Sequence, residues 1–265
     1  MNPTPWFTQG RKGAALKPGQ TITTPNFRWT IRRTRTEHEH RVTQEEAQFE
    51  NLDSYASIKL SCFSPSNPSK RAIMRIYMQI PWKGTELEDP PVRAQQATVF
   101  TPPELTAYQT LTRHPSASKY TPKLLDFDEQ LQHSSRCIPG GWVPGGFLTI
   151  FVWEWISGQV LGDTTGAIIF WTLEQTERDL IREKFKELLL AVTKAGVWPA
   201  FAEADNLVWN PEDKTLFLVG FREWHDISPQ RWDITWLPSF DLVHVPNKNR
   251  WWEKNWNRNT SDWEY

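Results

Sequence analysis

The sequence predicts an α+β fold, with a twisted antiparallel sheet first and the longest helix later, ending in a strand–turn–strand hairpin. Three observations carry this. Between Phe27 and Pro81 the signals are strand-like: "FRWTIRRTR" and "SIKLSCF" alternate at period two, and "AIMRIYMQI" is a strong strand bounded by "SPSNPSKR" and Pro81. Residues 172–196 carry apolar residues at the 3.6-residue period of a helix. Two short apolar runs, "NLVW" and "TLFLVGF", then flank the turn "NPEDK".

The elements follow in order. Residues 1–25 are rich in Pro, Gly and Thr and are expected to be poorly ordered. The three strands are separated by "SPSNPSKR" and other polar breaks, and Pro81 stops the third. "KGTELEDPPVRAQQATVFTPP" has the composition of an inserted loop. In "PPELTAYQTLTRH" a Pro stands at the start, Leu105, Tyr108 and Leu111 share a face, and Arg113 and His114 close the last turn, which predicts a helix. "TPKLLDFDEQ" predicts a strand, "CIPGGWVPGG" a turn-rich loop, and "FLTIFVWEWI" a buried strand. The long helix has Thr172 and Gln175 as a capping box, a stripe of Leu173, Leu180, Ile181, Phe185, Leu188, Leu189 and Val192, and Gly196 as its stop. No internal repeat is visible.

Composition narrows the function classes. The chain has 265 residues and a net charge of −1, enough for a sizeable core but without the basic excess of a nucleic-acid or anionic-membrane binder. The basic cluster Arg28, Arg32, Arg33, Arg35 is followed by Glu37, Glu39, Glu45 and Glu46, the pattern of a solvated face. Cys62 and Cys137 are too few for a disulfide framework and suit a reducing compartment. No secretory h-region or membrane-length apolar run occurs, so a cytoplasmic protein without a membrane span is expected. Sixteen Trp either staple a thin core and dock the C-terminal tail or wall an aromatic cleft.

Individual residues then carry a resemblance. "AIMRI", "ELTAYQTLT", "TPKLLDF", "PGG", "NLVW" and "FLVGF" follow one another in an order that resembles the protein-kinase fold, and in particular a group of kinase-like proteins from filamentous fungi, over residues 55–222. Kinases carry H-R-D-x-x-x-x-N in a catalytic loop after a long helix, then a hairpin and D-F-G. Aligned on Asn206, the His position is Pro199, the catalytic Asp position is Phe201, and the D-F-G triplet is Gly220, Phe221, Arg222. Arg75 stands at the β-strand Lys, and Glu104 at the helix Glu that would pair with it. The resemblance implies a two-lobed kinase-like fold with a small antiparallel N-lobe and a truncated helical C-lobe. The corresponding domains are a β-rich region over 26–147 and a C-lobe with a Trp-rich tail over 148–265.

The same alignment implies lost chemistry. Phosphoryl transfer needs magnesium held by the D-F-G Asp and the loop Asn, and a carboxylate beside the nucleophile. Here both carboxylates and the Gly-rich loop are missing, so no cofactor and no metal are expected. Glu203 and Asp205 are either solvated loop charges or a relocated magnesium site. Arg75 and Glu104 fit a structural ion pair better than a phosphate contact, because Arg favours permanent bidentate pairing. His38 and His40 in "EHEH" lack the further ligands of a metal site. Residues 223–265 are too few for a kinase peptide-binding region.

Three functions are compatible with these residues. The first is a scaffold or regulatory protein without phosphotransferase activity, bound to a protein partner. The second is a cofactor-independent cyclase or isomerase acting on an apolar small molecule of secondary metabolism. Its pocket candidates are Trp198, Phe201, Trp209 and Phe221, with Phe201 expected to point into an apolar cleft. The third is a divergent small-molecule phosphotransferase using Glu203 or Asp205 with Asn206.

Overall fold

The computed structural model describes residues 6–7, 15–132, 142–246 and 249–265. Its elements are β1 (Thr21–Thr23), β2 (Arg28–His40), α1 (Gln44–Glu50), β3 (Tyr55–Ser64), β4 (Asn67–Gln79), α2 (Pro90–Ala94), α3 (Pro103–Arg113), β5 (Leu124–Leu131) and β6 (Phe147–Glu154). After them come β7 (Gln159–Val160), α4 (Gln175–Lys194), β8 (Val197–Pro199), β9 (Leu207–Asn210), β10 (Thr215–Leu218), β11 (Trp224–Asp226) and α5 (Trp236–Ser239). The fold is α+β. Two compact units divide it, Met1–Pro102 with Leu124–Trp155, and Pro103–Lys123 with Ile156–Tyr265.

This division differs from the boundary expected after residue 147. Strand β6 starts at Phe147 and hydrogen-bonds both β4 and β5, from Met78 opposite Leu148 to Ala72 opposite Glu154. Backbone pairing on both sides makes it an interior strand of the first unit. Helix α3, expected with the β-rich region, belongs to the second unit.

In the first unit the six strands run in the order β1-β2-β3-β4-β6-β5. Ile31, Ile58, Leu60, Met74, Ile76, Ile150 and Val152 form one buried core with Trp29, the inward face that period-two alternation predicts. The edges of this sheet are tied together. Asp126 on edge strand β5 is buried and accepts from Thr24 Oγ1 at 2.5 Å, Asn26 N at 2.9 Å and Asn26 Nδ2 at 2.9 Å, in the turn after edge strand β1. The sheet is therefore curled, with its two edges joined at this point.

Two stretches are more ordered than their composition suggests. Among the described residues before position 26, Trp6, Phe7 and Leu16 are buried in the sheet core and Thr21–Thr23 form β1. Trp6 packs edge-on to Trp142 at 4.7 Å and donates its Nε1 hydrogen to Glu39 at 2.7 Å. Large aromatic area outweighs a Pro- and Gly-rich composition here. The expected inserted loop over 83–103 contains α2 and is held by three buried glutamines. Gln79 donates to the Gln96 carbonyl at 2.6 Å and accepts from Thr98 N, while Gln132 donates to the Gln79 carbonyl at 2.8 Å. Cys137 and the adjoining "CIPGG" lie outside the described residues.

In the second unit α4 buries Ile181, Phe185, Leu188, Leu189 and Val192 of the predicted stripe, whereas Leu180 is half-buried and Leu173 lies before the helix. The helix begins later than expected. Thr172 belongs to a preceding 3-10 turn, where its hydroxyl donates to the Ile169 carbonyl at 2.7 Å, so no Thr172–Gln175 capping box forms. The Trp-rich tail docks on this unit. Trp263 is buried and stacked on Trp256 at 5.4 Å, and His244 pairs as a β-bridge with Glu264. Buried Arg182 of α4 donates to the Leu242 carbonyl at 2.8 Å and lies over the Tyr265 ring. No helix among the described residues is long and apolar enough to cross a membrane.

Candidate functional site

The candidate segment runs from the end of α4 to β11. Gly196 takes a φ of +83°, which lets the chain leave the helix in a left-handed turn. Strand β8 then pairs antiparallel with β11, Trp198 opposite His225, and Ala200 N donates to the Glu223 carbonyl. Residues Ala204–Asn206 make a 3-10 turn, and β9 and β10 form the predicted hairpin, with Leu207 opposite Leu218. Beyond the hairpin, Val219 N donates to the Asn206 carbonyl at 2.8 Å. Backbone bonds thus clamp the loop 200–206 against the segment 219–223.

This clamp brings Asn206 onto Gly220. Gly220 has a φ of +87°, and a Cβ built there would collide with the Asn206 carboxamide. The Asn206 Nδ2 is turned back to the Phe201 carbonyl at 3.4 Å. Magnesium would need a carboxylate at position 220 beside the Asn206 oxygen. The residues present do not fit the ion: the position has neither the carboxylate nor the room for one. Among the described residues no group of three His, Cys, Asp or Glu side chains comes together as a metal site.

The other predicted site residues are scattered in role. Phe201, expected to point into an apolar cleft, is 50% exposed. It follows the last pairing of β8, where the strand face no longer dictates burial. Trp209 is buried and donates its Nε1 hydrogen to Glu177 at 2.7 Å, a core contact between β9 and α4. Trp198 is half-buried against Trp236 at 5.3 Å. Glu203 is exposed. Asp205 is partly buried, and its Oδ1 has no hydrogen-bond partner among the described residues. Phe221 is fully buried and meets Tyr108 of α3 edge-on at 5.7 Å. Arg75 is buried in β4 of the first unit and Glu104 in the first turn of α3 in the second. The structure thus brings together Asn206, Gly220 and the Phe201 carbonyl, and separately Phe221 with α3.

Sequence reasoning missed two contributors. The β8–β11 ladder involves three-residue strands, too short for any period to register. Trp224, in β11, donates its Nε1 hydrogen to the Pro103 carbonyl at 2.8 Å, pinning the start of α3. Only its position just after the Gly-Phe-Arg triplet hinted at a role.

No family model matches the sequence, and no curated protein matches it either. Similar solved structures include the BubR1 kinase domain, at TM-score 0.43 and 10% identity over 80% of this chain and 52% of that one. The Cydia pomonella granulovirus kinase PK-1 is similar at TM-score 0.41 and 12% identity, over 74% of this chain and 55% of that one. Vaccinia related kinase 3 is similar at TM-score 0.37 and 14% identity, over 79% and 52%. The chain spans about half the length of these kinase chains. At such scores the likenesses fix neither a family nor an activity.

Proposed function

We propose that the chain is a degenerate kinase-like protein that transfers no phosphoryl group and acts by binding, as a scaffold or regulator. One observation carries the reading. The Asn206 carboxamide packs on Gly220 in the space that a metal-binding carboxylate would require, while the catalytic Asp position is an exposed Phe201. Groups that work as a unit leave little activity once several are lost. A half-exposed Phe201 weighs toward the binding reading and against an aromatic reaction pocket. The partner is a protein or an apolar small molecule; a cytoplasmic setting and the resemblance to kinase-like proteins of filamentous fungi belong to the same proposal.

The test is a thermal-shift titration of the full chain with ATP, with and without magnesium, on wild type and Asn206→Ala. No magnesium-dependent shift is expected. A magnesium-dependent rise in Tm that disappears in Asn206→Ala would overturn the reading.

A further inference from the structure

The basic stretch Arg32–Arg35 is exposed, as its sequence suggests, but the acidic residues that follow do not balance it. The pairing of β2 with β3 slips twice. Ile31 faces Cys62 and Arg33 faces Ser61, so Arg32 is an extra residue; Thr34 faces Leu60 and Thr36 faces Lys59, so Arg35 is another. Each β-bulge inserts one arginine. Bulges re-aim side chains that strict alternation would send elsewhere. With Arg33 and with Arg71 of β4, the inserted arginines line a pocket of about 260 Å³ whose wall also includes Ser61 and Trp155.

The pocket is built for negative charge. No carboxylate is among the residues lining it, and none of the four guanidinium groups has an ion pair among the described residues. The acidic residues that follow in β2 are engaged elsewhere: Glu37 accepts from Phe7 N at 2.9 Å and Glu39 from Trp6 Nε1 at 2.7 Å. Trp155 holds two of the arginines in place, with Arg35 at 5.1 Å and Arg71 at 4.9 Å from its ring centroid. Burial, then the neighbouring Arg33 and Arg32, push the Arg35 guanidinium below its usual range. Cys62, on the pocket wall, is a buried thiol donating to the Ala72 carbonyl and acts there as packing.

We propose that this pocket binds the diphosphate group of a small soluble molecule. Guanidinium forks match phosphate oxygens two at a time, and four like charges around one small volume call for a ligand carrying several negative charges. The ring contacts of Trp155 are already made by protein cations, so recognition rests on the phosphates. With a net charge of −1 the chain lacks the basic excess that nucleic-acid binding calls for. The proposal is independent of the lost kinase chemistry, since it needs neither magnesium nor Asn206.

Isothermal calorimetry of the full chain with pyrophosphate, at fixed ionic strength and with chelator present, tests it. Saturable binding is expected, weakened at least about tenfold in Arg35→Gln/Arg71→Gln, with circular dichroism unchanged because both residues are exposed. Asn206→Ala should bind as wild type. Any of three results would overturn the proposal: no heat beyond that of chloride at equal ionic strength, equal binding by the double variant, or binding to phosphatidic acid vesicles without binding to soluble pyrophosphate.

Discussion

The Asn206 carboxamide occupies the space that a side chain at Gly220 would need, although the two residues stand on opposite sides of a hairpin. Asn206 is held there from both ends. Its carbonyl accepts from Val219 N at 2.8 Å and its Nδ2 donates to the Phe201 carbonyl.

Introducing a carboxylate at this point should therefore damage the fold before it creates a metal site. Gly220→Asp meets a φ of +87°, which costs an L-residue roughly 1–2 kcal/mol, and a collision besides. The expected outcome is a lower urea midpoint and no magnesium-dependent stabilisation. Combining Asn206→Ala with Gly220→Asp should recover part of the loss, because the two changes share one contact. Additive losses in the double-mutant cycle would show that the contact is immaterial.

Phe201→Asp should be close to neutral. Half of the side chain is already in solvent, and exposed substitutions away from special backbone usually change stability by less than about 0.5 kcal/mol. Thermal denaturation checks this. A loss of several kcal/mol would mean that Phe201 is core and that the apolar-cleft reading must be reopened.

Asp126 should be among the costliest single sites of the first unit. Its carboxylate accepts the Thr24 and Asn26 donors and the Phe127 amide at 3.1 Å. Asp126→Ala strands those donors, at an expected cost of about 2–3 kcal/mol. Asp126→Asn should not rescue, since its amide turns a donor toward donors. Urea unfolding of both variants measures the difference. A fully stable Asn variant would contradict the assigned hydrogen-bond directions.

Burial pushes the Cys62 thiol up to about 12. At pH 8 its thiolate fraction is then about 10⁻⁴, so iodoacetamide should leave the Cys62 peptide unmodified in the native protein and modify it in denaturant. The folded state favours the neutral thiol. That contribution is intact below the ordinary thiol range near 9 and is lost as pH rises from there toward 12. Peptide mass mapping reads the first expectation, and rapid native labelling at pH 8 would refute it.

Alone, the sequence determined the elements whose pattern is local and repeated. Ile58, Leu60, Met74 and Ile76 recur at every second residue along strands and face one core, and Ile181, Phe185, Leu188 and Val192 repeat along a helix with one buried stripe. The hairpin that follows Asn206 was legible for the same reason. Tertiary structure decided what depends on register and on partners distant in the chain. A single extra residue in β2 redirects each of Arg32 and Arg35, which no composition count can reveal. Trp6 and Phe7 became core because a strand 30 or more residues away supplies Glu37 and Glu39 as acceptors. Gly220 reads in sequence as a missing Asp; only the clamp between Asn206 and Val219 makes it a position where no side chain fits. Periodicity records which way a side chain faces along its own element, whereas these outcomes turn on what another element places opposite it.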